Sequence, residues 1–167
     1  MAFLQKFDSE GQPVRLEPFG PGFYHVAIRY KEQWLHAHPY GGVQLSKSFS
    51  DFHLRISEVL EHPDLPELNE KQVEPLLGKA YDPYFEWGQE TSFYCSKLVA
   101  KLLNLKPVPM YFDPGLWKDY FARLGAAIPE GFGISPDMLY RKLLAKRFDP
   151  IKPIPNPCEG LISKNKS

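Results

Sequence analysis

The sequence lacks a charge excess, long hydrophobic runs and a cysteine framework, and each absence excludes a class of protein. Lys and Arg total 20, as do Asp and Glu, so the formal net charge is zero. A nucleic-acid-binding surface or a polybasic membrane protein would show a basic excess. The apolar runs are only a few residues long, whereas a membrane helix needs about 20. We therefore expect no nucleic-acid partner and no membrane span.

Cysteine is also scarce. The two cysteines, Cys95 and Cys158, allow one disulfide at most, and neither has the spacing of zinc ligands. We therefore expect no cofactor and no metal. Residues 1–11 lack the basic start, apolar middle and cleavage site of a secretion signal. The sequence as written indicates a cytoplasmic protein, and a signal removed from a precursor would make it periplasmic or secreted.

The composition is sufficient for one hydrophobic core, with 167 residues of which 43% are hydrophobic and 14% aromatic. We place one domain at residues 1–148 and a proline-rich tail at 149–167. Strands that precede helices indicate an α+β fold with a mostly antiparallel sheet packed against helices. Alternation and helical spacing predict strands near 14–16 and at 23–30, 34–38, 43–45 and 52–57, and helices from 69, at 91–104, 116–124 and 135–146.

Cys95 is the first candidate for chemistry because it lies in the first turn of a predicted helix. The free N–H groups and the dipole at a helix N-terminus favour a thiolate, so we expect a lowered pKa. The same N–H groups can bind the oxyanion that forms when a thiolate attacks a carbonyl. The alternative is a small core residue, because Leu98, Val99 and Leu102 lie on the same helical stripe.

Three of the five histidines lie on one predicted hairpin. With a loop centred on residues 31–32, His25 lies opposite His38 and diagonal to His36, and all three share one face. A histidine base beside a second polar residue that orients its ring is the arrangement that activates a cysteine. Alternatively, His25 is a core histidine bonded to a backbone carbonyl. A metal site is a further alternative, but no carboxylate lies on this face.

Several segments together resemble the permuted NlpC-type papain-like cysteine amidohydrolases of the YiiX/YaeF-like group. The resemblance covers roughly residues 22–145, in the permuted order of histidine first and cysteine last. Its motifs are the segments Gly78–Asp82 with Phe93–Val99, His25–Ile28, Trp34–Ala37 with Gly42–Leu45, Pro129–Gly131 and Ile134–Asp137. The resemblance implies a circularly permuted papain-like fold.

The resemblance also implies roles for individual residues. Cys95 takes the place of the nucleophile and His25 that of the base. His36 falls where the group often has the glutamate that orients the histidine, although hairpin geometry alone also allows His38. Tyr81 matches a tyrosine whose hydroxyl helps to bind the oxyanion, and its alternative is one more core aromatic.

Three positions depart from the group's pattern. A histidine at position 36 is less usual, although the lecithin retinol acyltransferase-like branch pairs two histidines with a cysteine in this order. Lys97 replaces a glutamate two places after the nucleophile, and we expect it at the surface. The N-terminal stretch lacks the "G-D-I/V" strand that usually opens this fold.

Three functions remain open from the sequence. The first is a peptidase or amidase that acts on cell-wall-type or small peptides or on acyl-amino acids through a Cys-His-His triad and an acyl-enzyme. The second is an acyltransferase or thioesterase that acts on lipid esters with the same residues. The third is a non-catalytic binding module that kept the fold. The expected partner is thus a small peptide or acyl-amide substrate.

Overall fold

A computed structural model describes residues 1–61 and 65–147 of the chain. The predicted tail at 149–167, with Cys158, lies outside the described residues. The described elements in chain order are β1 (Ala2–Lys6), β2 (His25–Tyr30), β3 (Gln33–His38), β4 (Gly42–Ser46), β5 (Leu54–Val59), α1 (Glu70–Val73), β6 (Ala80–Tyr81), β7 (Ser92–Phe93), α2 (Cys95–Leu102), β8 (Val108–Met110), α3 (Pro114–Arg123), β9 (Gly131–Gly133) and α4 (Pro136–Arg147).

The main sheet has five strands in the order β4-β3-β2-β1-β5, and every neighbouring pair is antiparallel. β6 and β7 form a small parallel pair, and β8 and β9 form an antiparallel pair. Helix α2 packs against β2 and β3 of this sheet, so the predicted α+β class with an antiparallel sheet is confirmed. None of the described helices is long and apolar enough to cross a membrane.

The N-terminal strand β1 was not predicted. Ala2 and Leu4 face one side of the sheet and Phe3 the other, and all three are fully buried. A strand buried on both faces carries no alternation of polar and apolar residues, so periodicity could not identify it. The predicted strand near residues 14–16 was wrong, because this segment is irregular.

The β2–β3 hairpin forms as predicted around Lys31 and Glu32, with Tyr30 paired to Gln33. β4 then runs beside the segment that leads to β6, where the Val43 amide donates to the Lys79 carbonyl. Gly42 is required here. Its φ is +67°, and a Cβ would lie 2.2 Å from the Lys79 carbonyl oxygen.

Helix α2 lies at the centre of the molecule and packs against β2 and β3. Leu98 and Val99 are fully buried against Val26, Ile28 and other apolar residues of the sheet. All four predicted helices are present, the first shortened to one turn at α1. Asn69 and Gln72 cap α1 through reciprocal side-chain to backbone hydrogen bonds, as their spacing predicts.

Lys97 is buried, so the prediction that it lies at the surface was wrong. Its side chain is 0% exposed, and its ammonium group donates to the backbone carbonyls of Glu86, Gln89 and Ser92. The carboxylate of Asp82 lies 3.8 Å away. Sequence spacing shows which face of a helix a residue occupies, but not that a loop folds over that face. Lys97 therefore joins α2 to the loop before it.

Candidate active site

Cys95 is the first residue of α2 and lies against β2. Its side chain is 7% exposed, and it forms no disulfide with any described residue. The amide N–H of Val26, the residue after His25, hydrogen-bonds the sulfur and favours the thiolate. Cys95 and His25 line one cavity of about 470 Å³. The fold therefore places two residues that lie 70 positions apart on the wall of one cavity, without a hydrogen bond between them.

The expected lowering of the Cys95 pKa is not found. Burial raises the pKa of this thiol to about 11, although hydrogen bonds from the backbone of Val26 and from Ser96 act in the opposite direction. The free-energy cost of moving a charged thiolate out of water exceeds the stabilisation that the helix N-terminus gives to it. Cys95 is therefore a neutral thiol at neutral pH, and it needs a base to become a nucleophile.

The three histidines on the hairpin face form a connected group rather than three separate side chains. His25 Nε2 lies 3.0 Å from His36 Nδ1, and His36 Nε2 lies 2.9 Å from the hydroxyl oxygen of Ser46. Burial, with smaller effects of the neighbouring rings, places the pKa of His25 well below its usual value and lowers that of His36 to about 4. Both rings are thus neutral at neutral pH.

Two arrangements of ring hydrogens satisfy this chain. In the first, the His25 Nε2–H donates to His36, and the His36 Nε2–H donates to Ser46. In the second, the Ser46 hydroxyl donates to His36 and His36 donates to His25. Only the first leaves His25 Nδ1 with a free lone pair that can accept a proton. Nδ1 forms no hydrogen bond to another described residue.

His38 has a different environment from His36. Its Nδ1 accepts a hydrogen bond from the Tyr40 amide, and its ring packs on Phe52 with centroids 4.5 Å apart. Its ring centroid lies 5.8 Å from that of His25, without a hydrogen bond between the rings. The hydrogen bond to the His25 ring therefore comes from His36, whereas hairpin geometry alone left His36 and His38 equal.

Two phenol groups lie beside Cys95. Tyr81 is positioned by the pairing of β6 with β7, where it lies opposite Phe93. Burial, with Cys95 as the next cause, raises the pKa of Tyr81 well above its usual value and also raises that of Tyr24. Neither hydroxyl forms a hydrogen bond to another described residue, so each remains protonated and free to donate. Sequence reasoning identified Tyr81 and missed Tyr24.

The cavity is bounded by the sheet on one side and by α3 and the β8 region on the other. An aromatic group forms the wall distant from the sheet, with Phe85, Phe112, Trp117 and Tyr120 in mutual ring contact. The irregular segment at residues 14–17 forms another part of the wall. It is fixed where the Trp117 indole N–H donates to the Leu16 carbonyl at 2.7 Å.

Among residues 1–61 and 65–147, no group of three or more His, Cys, Asp or Glu side chains is placed to hold a metal ion. His25 Nε2 and His36 Nδ1 hydrogen-bond each other, which engages the N–H group of one ring and the lone pair of the other.

Comparison of the chain with protein-family models, curated proteins and solved structures gives no match.

Proposed function

We propose that the protein is a cysteine hydrolase that cleaves amide bonds through an acyl-enzyme, with a circularly permuted papain-like fold of the NlpC type. One observation carries the proposal. Cys95, at the N-terminus of α2, shares a cavity with His25, whose Nε2 lies at hydrogen-bond distance from His36 Nδ1. Nucleophile, base and orienting group are the three parts of a catalytic triad.

The first half of the reaction transfers the acyl group to sulfur. His25 Nδ1 takes the proton of the Cys95 thiol as the sulfur attacks the carbonyl carbon. The carbon–nitrogen bond then breaks, and the same proton passes from His25 to the departing amine. In the second half, His25 takes a proton from water as the water oxygen attacks the thioester carbonyl carbon. The carbon–sulfur bond then breaks, the acid product is released, and His25 returns the proton to the sulfur.

His36 and Ser46 stabilise the His25 imidazolium that exists between these proton transfers. In the first of the two hydrogen arrangements, the one that this mechanism requires, their hydrogen bonds hold the His25 ring with Nδ1 free. Because the pKa of Cys95 is raised and that of His25 is lowered, the resting pair is neutral. Proton transfer thus accompanies the attack and does not precede it.

The oxyanion has two kinds of donor available. The first-turn N–H groups of α2 receive no hydrogen bond from a capping side chain at Tyr94, so they can donate to the negatively charged oxygen. The free hydroxyl of Tyr81 adds a side-chain donor. The proposed substrates of the enzyme are small peptides or acyl-amino acids.

The second candidate, an acyltransferase or thioesterase, is favoured by the aromatic wall of the cavity. Phe85, Trp117 and their neighbours offer an apolar surface, and such a surface suits the acyl chain of a lipid ester as well as that of an acyl amide. The chemistry at Cys95 is the same. The two candidates differ in whether water or a second substrate removes the acyl group.

Trapping the acyl-enzyme tests the proposal. Incubation with p-nitrophenyl decanoate and rapid acid quench should give a protein heavier by one decanoyl group, located on Cys95 by peptide mass spectrometry, and Cys95→Ser should lose it. Decay of this species in water supports a hydrolase, whereas decay only with an added amine or lyso-lipid supports a transferase. A protein that never acquires the label would be a binding module.

A further inference from the structure

We propose that Lys6 binds a carboxylate on the leaving group, so that the substrates are acyl-amino acids with a free carboxyl group. The inference rests on the proposed amide hydrolysis and specifies its substrate. Three charged side chains line the cavity, those of Lys6, Arg15 and Glu17.

The acidic member of this set is already neutralised. The Glu17 carboxylate pairs with Arg141 at 3.1 Å and accepts a hydrogen bond from the Ser135 hydroxyl. Arg15 is exposed and donates to the Gly20 carbonyl. Lys6 is half-buried and has no ion pair or hydrogen bond to another described residue for its ammonium group. Among the described residues that line the cavity, no acidic side chain therefore neutralises the positive charge of Lys6.

The contacts of Lys6 place it on the side of His25. Leu4 pairs with His25 across β1 and β2, and Lys6 lies two residues further along β1, on the same face as Leu4. Its ammonium group lies 5.2 Å from the centroid of the Tyr24 ring. Its charge also acts on His38. Lys6 therefore lies at the end of the cavity that the histidines form.

This position assigns Lys6 to the leaving group. His25 gives its proton to the departing nitrogen, so the leaving group must lie beside His25. The aromatic wall of Phe85 and Trp117 lies on α3 and the loop before α2, on other elements than Lys6 and His25, and it is left for the acyl group. An ammonium ion at hydrogen-bond distance from a carboxylate forms a charge-assisted pair, which gives the amino-acid end its recognition.

The test compares two substrates that differ only in charge, N-decanoylglycine and N-decanoylglycinamide. For N-decanoylglycine, Lys6→Met should raise KM about 10- to 100-fold with little change in kcat, as expected for the loss of one charge-assisted hydrogen bond. Kinetics with the glycinamide should not change. The control Lys47→Met removes an exposed lysine that does not line the cavity. It should change neither KM nor kcat for either substrate.

Equal kinetics of Lys6→Met and the wild type on N-decanoylglycine would overturn the proposal, and so would equal losses on both substrates. If Lys6→Met folds poorly, Lys6→Gln is measured in the same way, and binding of N-decanoylglycine to Cys95→Ala with and without Lys6→Met gives the same comparison without turnover. An acyl-enzyme from p-nitrophenyl decanoate with no cleavage of either glycine compound refutes the leaving-group assignment alone. Absence of that acyl-enzyme refutes the hydrolase itself.

Discussion

Replacing Lys97 by Met is expected to lower the free energy of unfolding by about 3–5 kcal/mol, the usual cost of removing one partner from a buried ion pair. The Lys97 ammonium is fully buried, donates to the carbonyls of Glu86 and Ser92, and faces the Asp82 carboxylate. Methionine preserves the apolar stem but removes the donor to several buried carbonyls and leaves the Asp82 carboxylate without its cation, with only the amides of Tyr84 and Glu86 as donors. Urea unfolding should show a lower midpoint with an unchanged slope.

The control lies one turn further along α2. Lys101 forms an ion pair with Glu90 at 2.7 Å, but Glu90 is 66% exposed. Pairs of this kind contribute at most about 1 kcal/mol, so Lys101→Met should change the unfolding midpoint only slightly. Equal midpoints for Lys97→Met and Lys101→Met would show that the buried ammonium does not stabilise the loop before α2.

Replacing His25 by Ala should slow acylation of Cys95 by p-nitrophenyl decanoate about 100- to 10,000-fold, the usual contribution of a general base. The thiol is neutral at neutral pH, because burial raises its pKa to about 11. Without an adjacent acceptor for its proton, attack has to wait for the rare thiolate. Stopped-flow release of p-nitrophenol measures the rate directly.

His38→Ala is the matched control, because His38 shares the hairpin face but does not hydrogen-bond the His25 ring. We expect a much smaller loss than for His25→Ala, and a loss of intermediate size for His36→Ala, since His36 orients the base. If His38→Ala and His25→Ala were equally slow, the assignment of His36 as the orienting residue would be wrong.

The sequence predicted the elements whose signals are local. The hairpin around Lys31 and Glu32 follows from alternation on both sides of a polar turn, and the cap at Asn69 follows from a three-residue spacing. The co-location of three histidines follows from the same alternation. These features depend on the residues within one or two elements, so they can be derived without tertiary contacts.

The features that the sequence did not reveal depend on contacts between distant segments. β1 is buried on both faces, the loop at 82–92 covers Lys97, and Ser46 reaches His36 from the next strand. The raised pKa of Cys95 has the same origin. The helix N-terminus is a local property and predicts a thiolate, whereas burial results from the whole fold and is the larger effect.

The pH dependence of iodoacetamide alkylation at Cys95 shows whether His25 activates the thiol. We expect a wild-type rate at pH 7 that is much faster than in His25→Ala and falls only below about pH 6.5, the usual histidine value, as His25 gains a proton at its lowered pKa. In His25→Ala the rate should instead rise with the thiolate toward pH 11. Wild-type and His25→Ala rates that coincide across this range would contradict the account, because Cys95 would then react without help from His25.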